Sequence, residues 1–547
     1  MPRVSNLSEN RQWALLIVAL GLLDISLTFD NVWPTPLVKW TGGVSIELAV
    51  LVILLAVLTR GARRVRRGVL SLVAAIWVLL IIGHYADVTV PAVFGRPINL
   101  YWDSRHLRAV GEMLATAASL WIVLLAIALI VLVPLLIYWP ARWAIGRVAV
   151  AMTDRTTRRV LTAGAVVVIP LFVVYPRNPD MPSAAPPFPA PASAAYAKQV
   201  ALVAREVMRA GSRQLPPSPP MTANLSRVSD ADVFLIFIES YGAVTYDNPT
   251  ISSGLASSRD SFERDVAESG RKVVSGFVES PTFGGSSWLA HITLLSGIDV
   301  RDEDTNIMLM ASKRETLVST FARRGFRTVA LMPGLQQVWP EGRFYGFDAV
   351  YRGNELEYKG PDFGWWSVPD QFSLARVDAL ELQRQPRRPV FVVFPTIMTH
   401  APFSPIAPYQ PDWSRMVTAK PYDVPEVLHE LDQQPNWIEL GRSYIRATAY
   451  DLASIGGYLR WRSGRPVVMI LIGDHQPPAA VSGEHARWDV PVHIVTDRQD
   501  ILDRFVVHGF TAGMQPRTRT ISHMHELTTM ALDAFSTHDL STGLDEN

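Results

Sequence analysis

"RPVVMILIGDHQPPAA", residues 465–480, decides how the rest of the chain is read. Six apolar residues, Val467 to Ile472, run without polar alternation. Such a run reads as a strand buried on both faces. It ends on Gly473, Asp474 and His475, then turns away through Pro477 and Pro478. Strands covered on both sides belong to layered α/β domains, where ligands gather at the carboxyl ends of the strands. A carboxylate and an imidazole at such an end are therefore candidates for chemistry as well as for a polar cap.

Working outward, five more short β-branched runs read as strands: 233–238, 272–278, 328–332, 390–395 and 490–495. Helical windows lie between them, notably 314–324, 373–384 and 438–460. Interleaved strands and helices predict an α/β domain with a mostly parallel central sheet over 226–547.

The amino-terminal third is different. Five apolar stretches, roughly 13–32, 42–59, 69–86, 110–139 and 160–175, crowd into it. About 20 such residues in a helix span a bilayer core, so residues 1–175 read as a transmembrane domain with five helices. Asp24 and Glu47 fall inside the first two stretches, a cost of a few kcal/mol unless the carboxylates face protein or an interface. The loops holding Arg60, Arg63, Arg64, Arg66 and Arg67, and Arg142, Arg147, Arg155, Arg158 and Arg159, fall on one side in a five-span arrangement. The positive-inside rule puts that side in the cytoplasm and everything after Tyr175 outside. Trp33, Trp40, Tyr101 and Trp102 lie where aromatic interface anchors belong. No cleavable signal peptide is evident. Residues 176–225 read as a proline-rich linker and a juxtamembrane helix.

The 547-residue chain has net charge +1, which offers nothing to nucleic acid, and no cysteine. Disulfides and thiolate metal sites are excluded, and any metal must take oxygen and nitrogen ligands.

Three predicted strands deliver ionisable groups just past their carboxyl ends: Glu239 in "FIESYG", His400 in "MTHAPF", and Asp474 with His475 in "LIGDHQ". Two carboxylates and an imidazole suit zinc or manganese. In "FGGSSW" (283–288) a Gly-Gly turn precedes Ser286 and Ser287 at the start of an apolar helical window, which fits an N-cap and equally an anion site at a helix N-terminus.

In this order the four segments resemble the lipoteichoic acid synthase-like group of membrane phosphoglycerol and phosphoethanolamine transferases, within the alkaline phosphatase/sulfatase superfamily. The likeness extends to the layout of five spans followed by an outer domain, and so covers essentially the whole chain. It implies that Glu239, Ser287, Asp474 and His475 hold a divalent metal, Mn2+ ahead of Zn2+, with Ser287 as catalytic nucleophile. It implies substrate binding by His400, and by Trp339 and Arg343 in the looser "VWPEGRFYGFD" (338–348). A phospholipid donor, a glycan or glycolipid acceptor and a bacterial inner membrane with the catalytic domain in the periplasm follow from the same resemblance. Hydrolysis with water as acceptor uses the same site and stays open, as does a non-catalytic scaffold. Two residues depart from the group: serine replaces its usual threonine nucleophile, and Pro333 stands where a histidine often follows the strand at 328–332. Sulfatases proper need a proline two residues and an arginine four residues after the residue converted to formylglycine; Leu289 and His291 stand there instead. Trp288, Trp339, Trp365 and Trp366 fit either a lipid-facing mouth or core packing.

Overall fold

The structure is a computed structural model. It describes residues 4–62, 64–101, 103–104, 120–175, 187–209, 214–336, 339, 341–363, 368–433, 436, 439–517 and 519–537. Trp102, Trp365, Trp366 and most of the proline-rich linker lie outside the described residues. The chain divides into two compact units, Met1–Val93 with Pro97–Gly211, and Phe94–Arg96 with Ser212–Asn547.

The first unit contains the helices Val4–Ile25, Ile46–Leu58, Arg67–Phe94, Leu120–Ala151, Arg155–Val174 and Ala192–Arg209, and a small hairpin of β1 (Phe29–Asn31) and β2 (Val38–Trp40). Among the described residues three helices are long and apolar enough to cross a bilayer: Arg67–Phe94, Val123–Ala151 and Arg155–Val174. Ile46–Leu58 is apolar but has 13 residues, and the polar run Ser8–Gln12 shortens the apolar part of Val4–Ile25. Both fall short of the roughly 20 apolar residues a full span requires. The carboxylates that looked costly are satisfied within this unit. Asp24 accepts the Ser45 N–H at 2.8 Å. Glu47 accepts the Ser45 hydroxyl at 3.0 Å, and the Ser193 N–H and hydroxyl at 3.0 and 2.9 Å. Buried polar groups so paired avoid most of the desolvation cost.

The second unit is built on a nine-stranded sheet. Its strands are β3 (Asp232–Ile238), β4 (Lys272–Glu279), β5 (Arg327–Met332), β6 (Ala349–Arg352), β7 (Val390–Pro395), β8 (Val467–Gly473), β9 (Asp489–Thr496), β10 (Thr511–Ala512) and β11 (Thr520–His523). The spatial order is β10-β4-β9-β8-β3-β7-β5-β6, with β11 beside β4. From β8 to β6 every pairing is parallel. The sheet is mostly parallel, as expected, with β11 also parallel to β4, but it carries antiparallel pairings as well: β9 is antiparallel to β8, and β4 to both β9 and β10. The sheet is mixed. A parallel return requires a crossover, usually a full helix. Between β8 and β9 the chain forms only the four-residue helix Ala479–Ser482, and it comes back in the opposite direction.

Every residue of β3, β8 and β9 is buried, because helices cover both faces. Phe234, Ile236 and Ile238 point into one core, with Leu255, Phe262, Tyr444 and Tyr458 from the helices Pro249–Glu268 and Gly441–Trp461. Val233, Leu235 and Phe237 point into the other, with residues of Ser287–Ser296, Leu317–Arg323 and Gln499–Val507. Each such side chain contributes about 1.5–3 kcal/mol by leaving water. Because β3, β7 and β8 are parallel, their carboxyl ends lie along one edge, which brings Glu239, His400, Asp474 and His475 to the same side of the sheet.

Candidate active site

The tips of β3 and β8 approach closely because Gly473 has no side chain; a Cβ there would stand 1.8 Å from the Tyr241 carbonyl oxygen. Just past β3, Ser240 takes a left-handed conformation (φ 57°). This turn lets its N–H donate to Asp474 Oδ1 at 2.8 Å, and the His475 N–H donates to the same oxygen at 2.7 Å. Asp474 Oδ1 is thereby saturated and fixed. Asp474 Oδ2 is buried and has no hydrogen-bond partner among the described residues.

The third contributor arrives on the glycine turn. Gly284, Gly285 and Ser286 adopt φ values of 65°, 143° and 63° in succession. Three positive values in a row reverse the chain sharply, and Ser287 becomes the first residue of the helix Ser287–Ser296. Its hydroxyl donates to Glu239 Oε2 at 2.9 Å and lies 3.1 Å from His475 Nε2. Ser286 makes no capping bond with its side chain. Of the two serines, Ser287 is the one that meets the cluster.

His475 Nδ1 donates to the Gln476 carbonyl at 2.7 Å, so in the neutral ring Nε2 is the bare nitrogen. It faces Glu239 Oε1 at 3.3 Å and Asp474 Oδ2 at 3.8 Å. Burial lowers the His475 pKa, but the charges of Asp474 and Glu239 outweigh it and raise it to about 9. Burial, the largest influence, would raise Glu239; the charge and hydrogen bonding of His475, with smaller help from His400 and Asp474, together outweigh it and hold it below the usual carboxylate range. Burial, reinforced by the Glu239 charge, pushes Asp474 well above that range. The cluster is short of positive charge. Donor atoms of Glu239, Asp474 and His475 all lie within 4.8 Å of one another. Two ligands each about 2.0–2.2 Å from one ion stand about 3–4 Å apart. The donor set and the orphaned Asp474 oxygen thus fit a divalent cation.

The profile of the Sulfatase family matches residues 233–497. Those residues form a sulfatase-family domain. Solved structures similar to the chain include the lipoteichoic acid synthase LtaP from Listeria monocytogenes (13% identity, 61% of this chain and 79% of that one, TM-score 0.37). Another is the phosphoglycerol transferase GacH from Streptococcus pyogenes, in complex with sn-glycerol-1-phosphate (14%, 57% and 78%, TM-score 0.37). A third is the integral membrane lipooligosaccharide phosphoethanolamine transferase EptA from Neisseria meningitidis (11%, 90% and 88%, TM-score 0.45). No curated protein matches the chain.

Within the sulfatase-family domain, His400 follows β7 and is half-buried. Its Nδ1 donates to the Ala401 carbonyl at 2.7 Å, and its charge lowers the Glu239 carboxyl. Two buried aspartates brace the turn that carries it. Asp370 accepts the Ile397 and Met398 N–H groups at 3.0 and 2.7 Å, and Asp451 accepts the Thr399 hydroxyl at 3.2 Å. Burial and mutual repulsion raise Asp370 well above its ordinary pKa, and burial raises Asp451 to about 6. The neighbouring Thr396 hydroxyl accepts the Glu239 N–H at 3.1 Å, so the β3 and β7 tips are tied together.

The family domain does not gather every expected residue. The Trp339 ring packs on Tyr345, with centroids 5.5 Å apart, and Arg343 is exposed. Among the described residues no hydrogen bond or ion pair joins either one to Glu239, Ser287, Asp474 or His475. Trp288 is 41% exposed and donates to Glu303 at 3.0 Å. The sequence reading passed over His291, whose Nε2 lies 3.9 Å from Asp474 Oδ2. Burial lowers the His291 pKa to about 4. Its only sequence signal is that it stands one helical turn after Ser287.

Proposed function

We propose that the chain is a membrane-anchored transferase. It moves a phospholipid headgroup, glycerol phosphate or ethanolamine phosphate, through a covalent intermediate on Ser287 to a periplasmic glycan or glycolipid. The observation that carries this reading is the Ser287 hydroxyl, 2.9 Å from Glu239 Oε2 and 3.1 Å from His475 Nε2. Leu289 and His291, in place of the proline and arginine of the formylglycine motif, favour direct attack by the serine oxygen over sulfatase chemistry.

Glu239, Ser287, Asp474 and His475 are the residues that would hold the divalent cation. Such a cation supplies positive charge that stabilises a serine alkoxide and the phosphoryl oxygens. Ser287 Oγ attacks the donor phosphorus while its proton leaves along the hydrogen bond to Glu239 Oε2. The P–O bond to diacylglycerol breaks, and His400 protonates the departing oxygen. The headgroup remains on Ser287 as a phosphodiester. An acceptor hydroxyl then gives its proton to His400 and attacks the same phosphorus, and Ser287 Oγ recovers a proton from Glu239. Arg343 and Trp339 act, on this reading, on the bound substrate rather than on the cluster.

On this reading the membrane-spanning helices hold the catalytic domain at the outer leaflet, where a lipid donor is at high effective concentration. Radiolabelled phosphatidylglycerol or phosphatidylethanolamine, incubated with the full chain and a periplasmic glucan, tests the reading. Label transferred to the glucan supports a transferase; label released only as free headgroup phosphate makes the protein a hydrolase.

A further inference from the structure

The turn that carries His400 hangs on two carboxyl groups from different helices. Asp370, the first residue of the helix Asp370–Val377, accepts the Ile397 N–H at 3.0 Å and the Met398 N–H at 2.7 Å. Asp451, in the middle of the helix Gly441–Trp461, accepts the Thr399 hydroxyl at 3.2 Å through Oδ2. The turn also closes on itself. The His400 N–H donates to the Ile397 carbonyl at 3.0 Å, and the Thr396 and Thr399 hydroxyls lie 3.3 Å apart. Where His400 stands is therefore set by Asp370 and Asp451.

Nothing compensates the charge of these two groups. Asp370 is 1% exposed and Asp451 0%, and among the described residues no arginine, lysine or histidine forms an ion pair with either. Each is a hydrogen-bond partner of the other, yet Asp451 Oδ1 has no donor among the described residues. The other titratable groups facing the pair are the phenols of Tyr450, on the same helix as Asp451, and of Tyr422. Burial raises both phenols well above their ordinary range, so they stay neutral. Two carboxyl groups that share one buried site do not both ionise; one proton stays with the pair. That proton also gives Asp451 Oδ1 the partner it lacks, where an unsatisfied buried oxygen costs about 1–3 kcal/mol.

We propose that Asp370 and Asp451 are a positioning pair for His400, that they hold one proton between them, and that loss of this proton frees the 396–400 turn and withdraws His400 from the substrate. The inference rests on the part given to His400 in the proposed function. With the proton in place the two carboxyls form one compact acceptor for the turn. Once it leaves, two like charges face each other away from water and the carboxyls part. The bonds to Ile397, Met398 and Thr399 go with them. Neither aspartate touches the reacting atoms; both act through the turn.

Asp451→Asn tests this in the full-length protein in detergent. Its amide oxygen keeps an acceptor for Thr399 and its NH2 keeps a donor for Asp370, so it mimics the pair with the proton locked in. Headgroup transfer is followed from neutral to alkaline pH, and each protein is read against its own plateau. The alkaline fall in kcat is expected to lie at higher pH in Asp451→Asn than in the wild type; an unmoved fall overturns the proposal. Asp370→Ala should lower kcat by about 100-fold, the scale of a misplacement near 1 Å. Because it acts through His400, the double variant Asp370→Ala/His400→Ala should be no slower than His400→Ala alone; losses that multiply overturn the proposal. If Asp370→Ala does not fold, Asp451→Asn still decides. A second readout needs no activity. An aspartate whose proton is held more tightly in the folded than in the unfolded chain loses stability as pH rises above about 4. Asp451→Asn should flatten that fall in melting temperature, and an equally steep fall overturns the shared proton. A wild type that transfers no headgroup removes the proposed function, while the melting comparison still tells whether the pair holds its proton.

Discussion

Gly284 and His475 are held to the same oxygen. The Gly284 N–H donates to the Gln476 carbonyl at 3.1 Å, and His475 Nδ1 donates to that carbonyl at 2.7 Å. The turn that delivers Ser287 and the strand tip that delivers Asp474 and His475 are thus referenced to one atom. This shared acceptor explains how a serine and a histidine 188 residues apart come to 3.1 Å.

Disturbing the turn should therefore disturb chemistry before it disturbs folding. Gly285, the next residue of the turn, sits at φ 143°, where a residue with a side chain pays about 1–3 kcal/mol, and a Cβ there would meet no atom within 4 Å. Gly285→Ala is expected to fold with a modest fall in melting temperature. Its turnover should drop by about 100-fold, the scale of a misplacement near 1 Å. Thermal melts and steady-state transfer assays on the same preparation check this.

His400 lies outside the Glu239–Asp474–His475 group but acts electrostatically on Glu239. The role in proton transfer proposed for it predicts that His400→Ala lowers kcat by about 10²–10⁴-fold while bound metal stays at the wild-type level. Metal content by mass spectrometry, measured beside kcat, separates this from loss of the site.

The buried His493 makes a prediction about pH. Its Nδ1 lies 2.6 Å from the Ser275 hydroxyl, and its Nε2 lies 3.1 Å from the Tyr241 hydroxyl. Burial and the Arg259 charge lower its pKa from 6.5 to about 3. The unfolded chain therefore takes up a proton first, and stability falls as pH drops from 6.5 toward 3. One such proton is worth about 1.4 kcal/mol per pH unit. Buried Asp370 and Asp451, both raised, act in the opposite sense, so the His493 effect is read from the difference between wild type and variant at each pH. His493→Gln should flatten the dependence of melting temperature on pH in the acid range. An unaltered slope contradicts the assignment.

The strands that position the site were legible because they are covered on both faces. β3, β7 and β8 read as unbroken apolar runs, and the residues just past them are Glu239, the turn to His400, and Asp474 with His475. β6, β10 and β11 are short and only partly buried, so no apolar run announces them. The helix Pro249–Glu268 buries Ile251, Leu255, Phe262 and Val266, but Arg259 on the same face breaks its apolar code. That arginine is tolerated because it donates to the Thr245 and Ser252 carbonyls at 3.0 and 2.7 Å. Strand direction has no compositional signature, which is why β9 was legible as a strand but its antiparallel sense was not. His291 gains meaning only when the fold sets it opposite Asp474.

The central claim is that Ser287 becomes covalently loaded with a phospholipid headgroup. Wild-type protein is incubated with phosphatidylglycerol or phosphatidylethanolamine without acceptor, quenched in acid, digested and analysed by mass spectrometry. The account predicts a glycerol phosphate or ethanolamine phosphate adduct on Ser287, absent from Ser287→Ala, which should also have lost turnover. Full transfer activity in Ser287→Ala, or an adduct on another residue, would contradict it.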